Sequence, residues 1–162
     1  MNKEEILEEI NKTKEHLANM EKMLEECGHK RWKPKTLGCY YFVTDNLTVA
    51  RENFEGDYDT CKYNAYNCFQ SREQAEAEAE KILIRRQLED IARRLNRGRK
   101  IDWGNGDRKY FISFSYWDDM IELEGCLIKK YQGVIYCLDE NFLDVALKEI
   151  GEQTLKKYLK GE

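Results

Sequence analysis

Proline is almost absent from this chain of 162 residues, Pro34 being the only one. Elements beyond residue 34 can therefore run long, since proline is the residue that both fixes φ and removes a backbone donor. Histidine is nearly as scarce, with only His16 and His29, both ahead of the body of the chain. That body lacks the side chain most often used as a general base near neutral pH. No two cysteines have C-x-x-C spacing; Cys27, Cys39, Cys61, Cys68, Cys126 and Cys137 are scattered through apolar or aromatic surroundings. This excludes a paired-knuckle zinc site and leaves the thiols as small buried hydrophobes of a reducing compartment. The Cys27–His29 step has no second ligand pair to join it, and no metal or cofactor is expected. No apolar run approaches the roughly 18 residues of a spanning helix, and the first residues are acidic, so neither a membrane contact nor a secretory leader is expected.

What is present begins with a heptad pattern. Positions a hold Ile10, Leu17 and Leu24, and positions d hold Ile6, Thr13, Met20 and Cys27, with charge on the remaining faces up to Gly28. Ile6, Ile10, Leu17, Met20 and Leu24 form an apolar seam that an isolated helix of this length cannot afford to leave in water. Residues 1–28 are thus read as a coiled-coil arm that makes a homo-oligomer, dimer or trimer, or else docks on the chain's own sheet. Residues 29–38, containing Arg31-Trp32-Lys33-Pro34-Lys35, read as a basic hinge in which Pro34 forces Lys33 to be extended.

Hydrophobic residues at 41% and charged residues at 36% suit a globular body, placed at 39–162. Its expected class is α+β, an N-terminal coiled-coil helix followed by two β-β-β-α units with antiparallel sheets, as pseudo-repeats over 39–98 and 107–162. In the first unit, strands are expected at 39–43, 47–50 and 62–69, with a polar loop between the last two. A helix follows, capped by Ser71 with Gln74 as its capping-box partner and ending at Gly98. Ile84, Leu88, Ile91 and Leu95 recur at spacings of four, three and four, which buries one face. In the second unit, residues 109–117 alternate with period two, strands follow at 121–128 and 134–138, and Asp139 is the expected cap of a helix that breaks at Gly151. Superimposing Ser71 on Asp139 aligns Tyr66, Cys68 and Phe69 with Val134, Tyr136 and Cys137.

The strongest candidate binding feature is basic. Residues 81–100 carry Lys81, Arg85, Arg86, Arg93, Arg94, Arg97, Arg99 and Lys100 against Glu89 and Asp90, in a chain of net charge −4. Arg86, Arg93 and Arg97 fall within roughly 40° on a helical wheel, a stripe suited to phosphates or carboxylates. The bland reading of the same residues is a solvated face laced with i,i+3 and i,i+4 ion pairs. Trp32, Trp103, Tyr110, Phe111, Phe114, Tyr116 and Trp117 read either as stacking platforms or as the core of small sheets. Gly104-Asn105-Gly106 precedes a strand rather than a helix and reads as a turn. Glu52, Glu55, Asp57 and Asp59 could hold a cation, but without EF-hand spacing, and no catalytic constellation accompanies them. The chain is not expected to be an enzyme.

Asn2-Lys3-Glu4-Glu5, Arg31-Trp32-Lys33-Pro34-Lys35 and Tyr40-Tyr41-Phe42 together resemble small proteins encoded by phages and prophages of Gram-positive bacteria. The stretches Asn67-Cys68-Phe69-Gln70-Ser71-Arg72-Glu73-Gln74-Ala75 and Ile150-Gly151-Glu152-Gln153-Thr154-Leu155-Lys156-Lys157-Tyr158 extend the resemblance over almost the whole chain. The resemblance implies an accessory role in the host cytoplasm: a non-catalytic, anti-CRISPR-like inhibitor that binds a host defence protein or ribonucleoprotein, meaning a nuclease, its guide RNA or a signalling nucleotide. A nucleic-acid-binding accessory protein of phage replication or packaging is the alternative, and a metal-dependent nuclease built on the acidic loop is a third.

Overall fold

The computed structural model describes residues 31–161 together with residues 9, 12–14 and 17. The described residues contain β1 (Cys39–Val43), β2 (Val49–Asn53), α1 (Asp57–Asn64), α2 (Arg72–Asn96), β3 (Lys109–Ser115), β4 (Met120–Cys126), α3 (Phe142–Ile150) and α4 (Glu152–Lys160). The fold is mixed α+β, with two separate antiparallel hairpins, β1–β2 and β3–β4. The coiled-coil arm lies almost entirely outside the described residues.

Neither hairpin gains the third strand expected from sequence. At 62–69, residues up to Asn64 belong to α1, and only Phe69 reaches the sheet. Phe69 exchanges both backbone bonds with Tyr41, at 3.0 and 2.8 Å. The next rung is made by a side chain: Asn67 accepts from Val43 N at 2.8 Å and donates to Val43 O at 2.7 Å. A carboxamide carries the same donor and acceptor as a peptide unit, so Asn67 imitates a strand residue and the ladder needs no more backbone. At 134–138 likewise only Cys137 bridges, exchanging bonds with Tyr110 at 2.7 and 2.8 Å, and the following amide, Leu138 N, is taken by the Asn96 side chain at 2.7 Å.

Each half thus has a hairpin, a single bridged residue and then a helix, with α1 ahead of the bridge in the first half and α4 added after the helix in the second. Superimposing Tyr41 on Tyr110 places Tyr40 on Lys109 and Phe42 on Phe111, all four buried. Lys109 sits at 0% exposure because its ammonium meets Asn105 Oδ1 at 3.0 Å and the carbonyls of Asn105 and Leu127 at 3.4 Å. Other boundaries shift for local reasons. Leu47, expected in a strand, has φ 63 and turns the first hairpin, so β2 starts at Val49 and absorbs Glu52. Asp139 does not cap α3. The N-cap is Asn141, and Asp139 acts one step earlier by accepting from Asn141 N at 3.0 Å and Asn141 Nδ2 at 2.8 Å.

Helix α2 joins the halves. It starts with the expected capping box, Ser71 Oγ accepting from Gln74 N and Gln74 Oε1 accepting from Ser71 N, both at 3.3 Å. It ends at Asn96, one turn of left-handed backbone at Arg97 and Gly98 reversing the chain. Its first turns offer Ala75 and Ala79, whose small side chains let Val43 of the first hairpin pack close. Its later turns offer Ile84, Leu88, Ile91 and Ala92 to Cys137, Phe142, Ala146 and Leu155 of the second half. Tyr40, Phe42, Phe54 and Cys68 form a third buried group, against which Trp32 of residues 29–38 packs. Gly151, at φ 91, separates α3 from α4 where a break was expected.

Since α2 supplies four of the eight buried residues of the largest core group, residues 101–162 alone should not fold cooperatively. Thermal melting of that fragment by circular dichroism should show a shallow, featureless curve. A sharp transition would show that β3, β4, α3 and α4 hold together without α2.

Candidate functional site

The basic residues of α2 divide into two sets. Arg85 pairs with Glu89 at 3.0 Å, Arg93 with Asp90 at 3.3 Å, and Arg94 with both Asp90 at 3.0 Å and Glu149 at 2.5 Å. Arg94 thereby ties α2 to α3. These are exposed pairs, worth at most about 1 kcal/mol each. Arg86, Arg97, Arg99 and Lys100 make no ion pair among the described residues and are exposed. Arg97 and Arg99 do feel Asp139, whose carboxyl is held below the usual range first by the Asn141 backbone N–H and then, more weakly, by these two guanidinium groups.

Because the left-handed turn at Arg97 and Gly98 sends the chain back along α2, Arg99 and Lys100 come to face the last helical turns. A groove of about 440 Å³ lies between them, walled by Arg93, Asn96, Arg99 and Lys100 and floored by Ala92, Ile101, Ile135 and Tyr136. Its one carboxylate, Glu89, is committed to Arg85. Arg99 is also a wall of a second groove of about 220 Å³, with Asp107, Arg108, Tyr110 and Leu138. Of the expected binding residues, the larger groove thus gathers Arg93, Arg99 and Lys100. Arg85, Arg86, Arg94 and Arg97 line neither groove.

Two lining residues were missed from sequence. Asn96 is 8% exposed and sits one position inside the helix end, where nothing in the sequence separates it from an ordinary terminal asparagine. Arg108 precedes β3 and lies over Gly125; a Cβ there would stand 2.2 Å from Arg108 Nε. Gly125 within β4 is the sequence signal, a strand glycine marking a close approach.

Of the acidic residues, Glu52 and Asp59 meet at the Tyr40 hydroxyl, 3.2 and 2.7 Å from it. Glu52 pairs with Lys62. Asp59 is buried and accepts from the Tyr40 hydroxyl at 2.7 Å and from Glu55 N at 2.6 Å. Among the described residues, no group of three or more His, Cys, Asp or Glu side chains is placed to hold a metal ion. The aromatic residues divide as well. Phe111 is buried, Trp103 packs edge-on against Tyr136 at 4.9 Å, and Tyr116 and Trp117 stand exposed at the β3–β4 turn. Cys68 and Cys137 are buried, and burial pushes both thiols up, whereas Cys39 and Cys61, expected inside, are exposed. Cys39 lies at the sheet margin, with Asn53 Oδ1 at 3.1 Å and Arg51 Nη2 at 3.0 Å.

Of the seam residues, Leu17 alone is described, 52% exposed; Ile6, Ile10, Met20 and Leu24 lie outside the described residues. No helix among the described residues is long and apolar enough to cross a membrane. No family model matches the chain, and no characterised protein and no solved structure is similar to it.

The Glu55 backbone N–H and then the Tyr40 hydroxyl hold the Asp59 carboxyl below its usual range, while burial pushes the Tyr40 hydroxyl upward. A carboxylate with a depressed folded-state pKa stabilises the fold fully above about pH 4 and loses that contribution as the pH falls further. Asp59→Asn places an amide against two donors and should cost about 1–3 kcal/mol at pH 7. Urea denaturation should also show a smaller stability loss between pH 5 and pH 3 in the variant. An equal loss in both proteins would remove Asp59 as a source of acid sensitivity.

Proposed function

We propose that the chain is a phage-encoded, non-catalytic inhibitor that binds a ribonucleoprotein or nuclease of a bacterial defence system in the host cytoplasm, through the basic end of α2. The observation that carries this reading is the concentration of positive charge at Arg86, Arg97, Arg99 and Lys100, none of them in an ion pair among the described residues, in a chain that is acidic overall. Positive charge outside ion pairs along and just beyond a rigid helix is suited to a negative partner surface. The commitment of Glu52 and Asp59 to Lys62 and Tyr40 favours binding over metal-dependent hydrolysis. The phage context rests on the resemblance of the sequence.

Expression of the chain in a bacterium with an active nuclease-based defence should restore plaque formation by a targeted phage. Replacing Arg86, Arg93 and Arg97 together with Glu should cancel that rescue, while circular dichroism reports an intact fold, since all three are exposed. Full rescue by the folded triple variant would return the stripe to a solvated face.

The arm is proposed to bring copies of this binding surface together, raising affinity by multivalency. Light scattering should give a dimer or trimer for the full chain and a monomer for residues 30–162. A monomeric full chain would remove self-association from the account.

A further inference from the structure

We propose that the groove at the end of α2 binds a nucleotide unit, its phosphate on Arg99 and Lys100 and one of its acceptor oxygens on Asn96. This rests on the reading above, since it gives ligand chemistry to the same basic end of the helix. The first support is Asn96. Its carboxamide oxygen accepts from Leu138 N at 2.7 Å and lies 3.5 Å from the Cys137 thiol, which fixes the orientation of the amide. Its Nδ2 then has no partner among the described residues, although the residue is only 8% exposed and lines the groove. That Nδ2 is reached by solvent rather than sealed in, so an acceptor in the groove takes the place of water on a donor whose orientation is already fixed.

The second support is the sign of the wall. Arg99 and Lys100 present donors only, and both are free of ion pairs among the described residues. Of the carboxylates nearby, Glu89 is paired with Arg85 at 3.0 Å and Asp107 accepts from Asn105 Nδ2 at 2.8 Å, while Asp139 accepts from Asn141 N at 3.0 Å and offsets Arg99 only weakly. A ligand must therefore bring acceptors and negative charge. The third support is the floor, where Ile101, Ile135 and Tyr136 offer apolar surface for a sugar or base in a space of about 440 Å³. Arg99 stands between this groove and the smaller one of about 220 Å³. A phosphodiester on Arg99 thus has room on both sides, and a nucleotide within a single strand uses more of the surface than a free one.

The test uses the full chain and fluorescence anisotropy with a labelled single-stranded RNA decamer, competed by AMP, UMP, inorganic phosphate and poly-glutamate. Arg99→Gln and Asn96→Asp, the latter keeping the oxygen for Leu138 while replacing donors with an acceptor, should each weaken binding by about tenfold or more. Lys148→Gln, an exposed position on α3 outside both grooves, should change it less than about twofold by screened electrostatics alone. Should Asn96→Asp unfold, the double variant Arg99→Gln with Lys100→Gln decides. Competition by AMP or UMP equal to that of the decamer assigns the site to free nucleotides; much weaker competition assigns it to a strand. The proposal is overturned if poly-glutamate competes as well as RNA, if Lys148→Gln and Arg99→Gln lose equally, or if neither RNA nor nucleotides bind. Absent RNA and nucleotide binding with phage rescue intact would sink the groove assignment and leave the inhibitor reading standing.

Discussion

The burial of one face of α2 is the interaction on which the rest of the structure depends. Two-stranded hairpins are marginal by themselves, because one face of so small a sheet cannot exclude enough water. Here each hairpin leans on the same 25-residue helix, or on the helices packed against it. The alanines at 75 and 79 admit the first hairpin closely, and the larger side chains from Ile84 to Ala92 fill the wider space of the second half. The exposed remainder of α2 is then held rigidly, and its basic residues inherit a fixed arrangement from the apolar side.

The two halves share a plan and diverge in how much backbone they use for it. Each closes its hairpin with one doubly bonded residue, Phe69 or Cys137, two positions ahead of Ser71 or Asp139. Beyond that rung, one half continues the ladder with the side chain of Asn67, and the other gives its amide to Asn96 of α2. The helices diverge as well: α2 runs unbroken, whereas the second half interrupts its helix at Gly151 and folds α4 back toward β3 and α2. In consequence Lys156 and Lys160 of α4 grip Asp119 at the end of the second hairpin, whereas in the first hairpin Lys62 of α1 pairs with Glu52 of β2.

Local signals were the ones legible in the sequence. The capping box at Ser71, the apolar face from Ile84, the hairpin at 109–126 and the glycine break at 151 each rest on neighbouring residues, and each is found. The third strands were not legible, because apolar β-branched and aromatic residues at 62–69 and 134–138 fit an extended chain equally well whether or not backbone partners exist. Whether a strand forms there is decided by α1, by the Asn67 side chain that takes a strand residue's place beside Val43, and by Asn96 of the distant α2. The site shows the same division. Its charge was legible, since it needs only counting. Its shape was not, since Arg99 and Lys100 reach Asn96 and Tyr136 only through the reversal at Arg97 and the approach of residues 135–136 from the second half.

The outer strands carry a consequence for how copies of the chain meet. Among the described residues, β2 and β4 each pair on one side only, with an open margin of peptide groups on the other. Such margins invite strand addition and runaway stacking unless they are blunted. β2 presents exposed Arg51, Glu52 and Asn53, and β4 presents exposed Glu122 and Glu124, so sheet-to-sheet joining brings like charges together or forces their dehydration. The charges along these two strands thereby blunt edges that would otherwise accept a further strand.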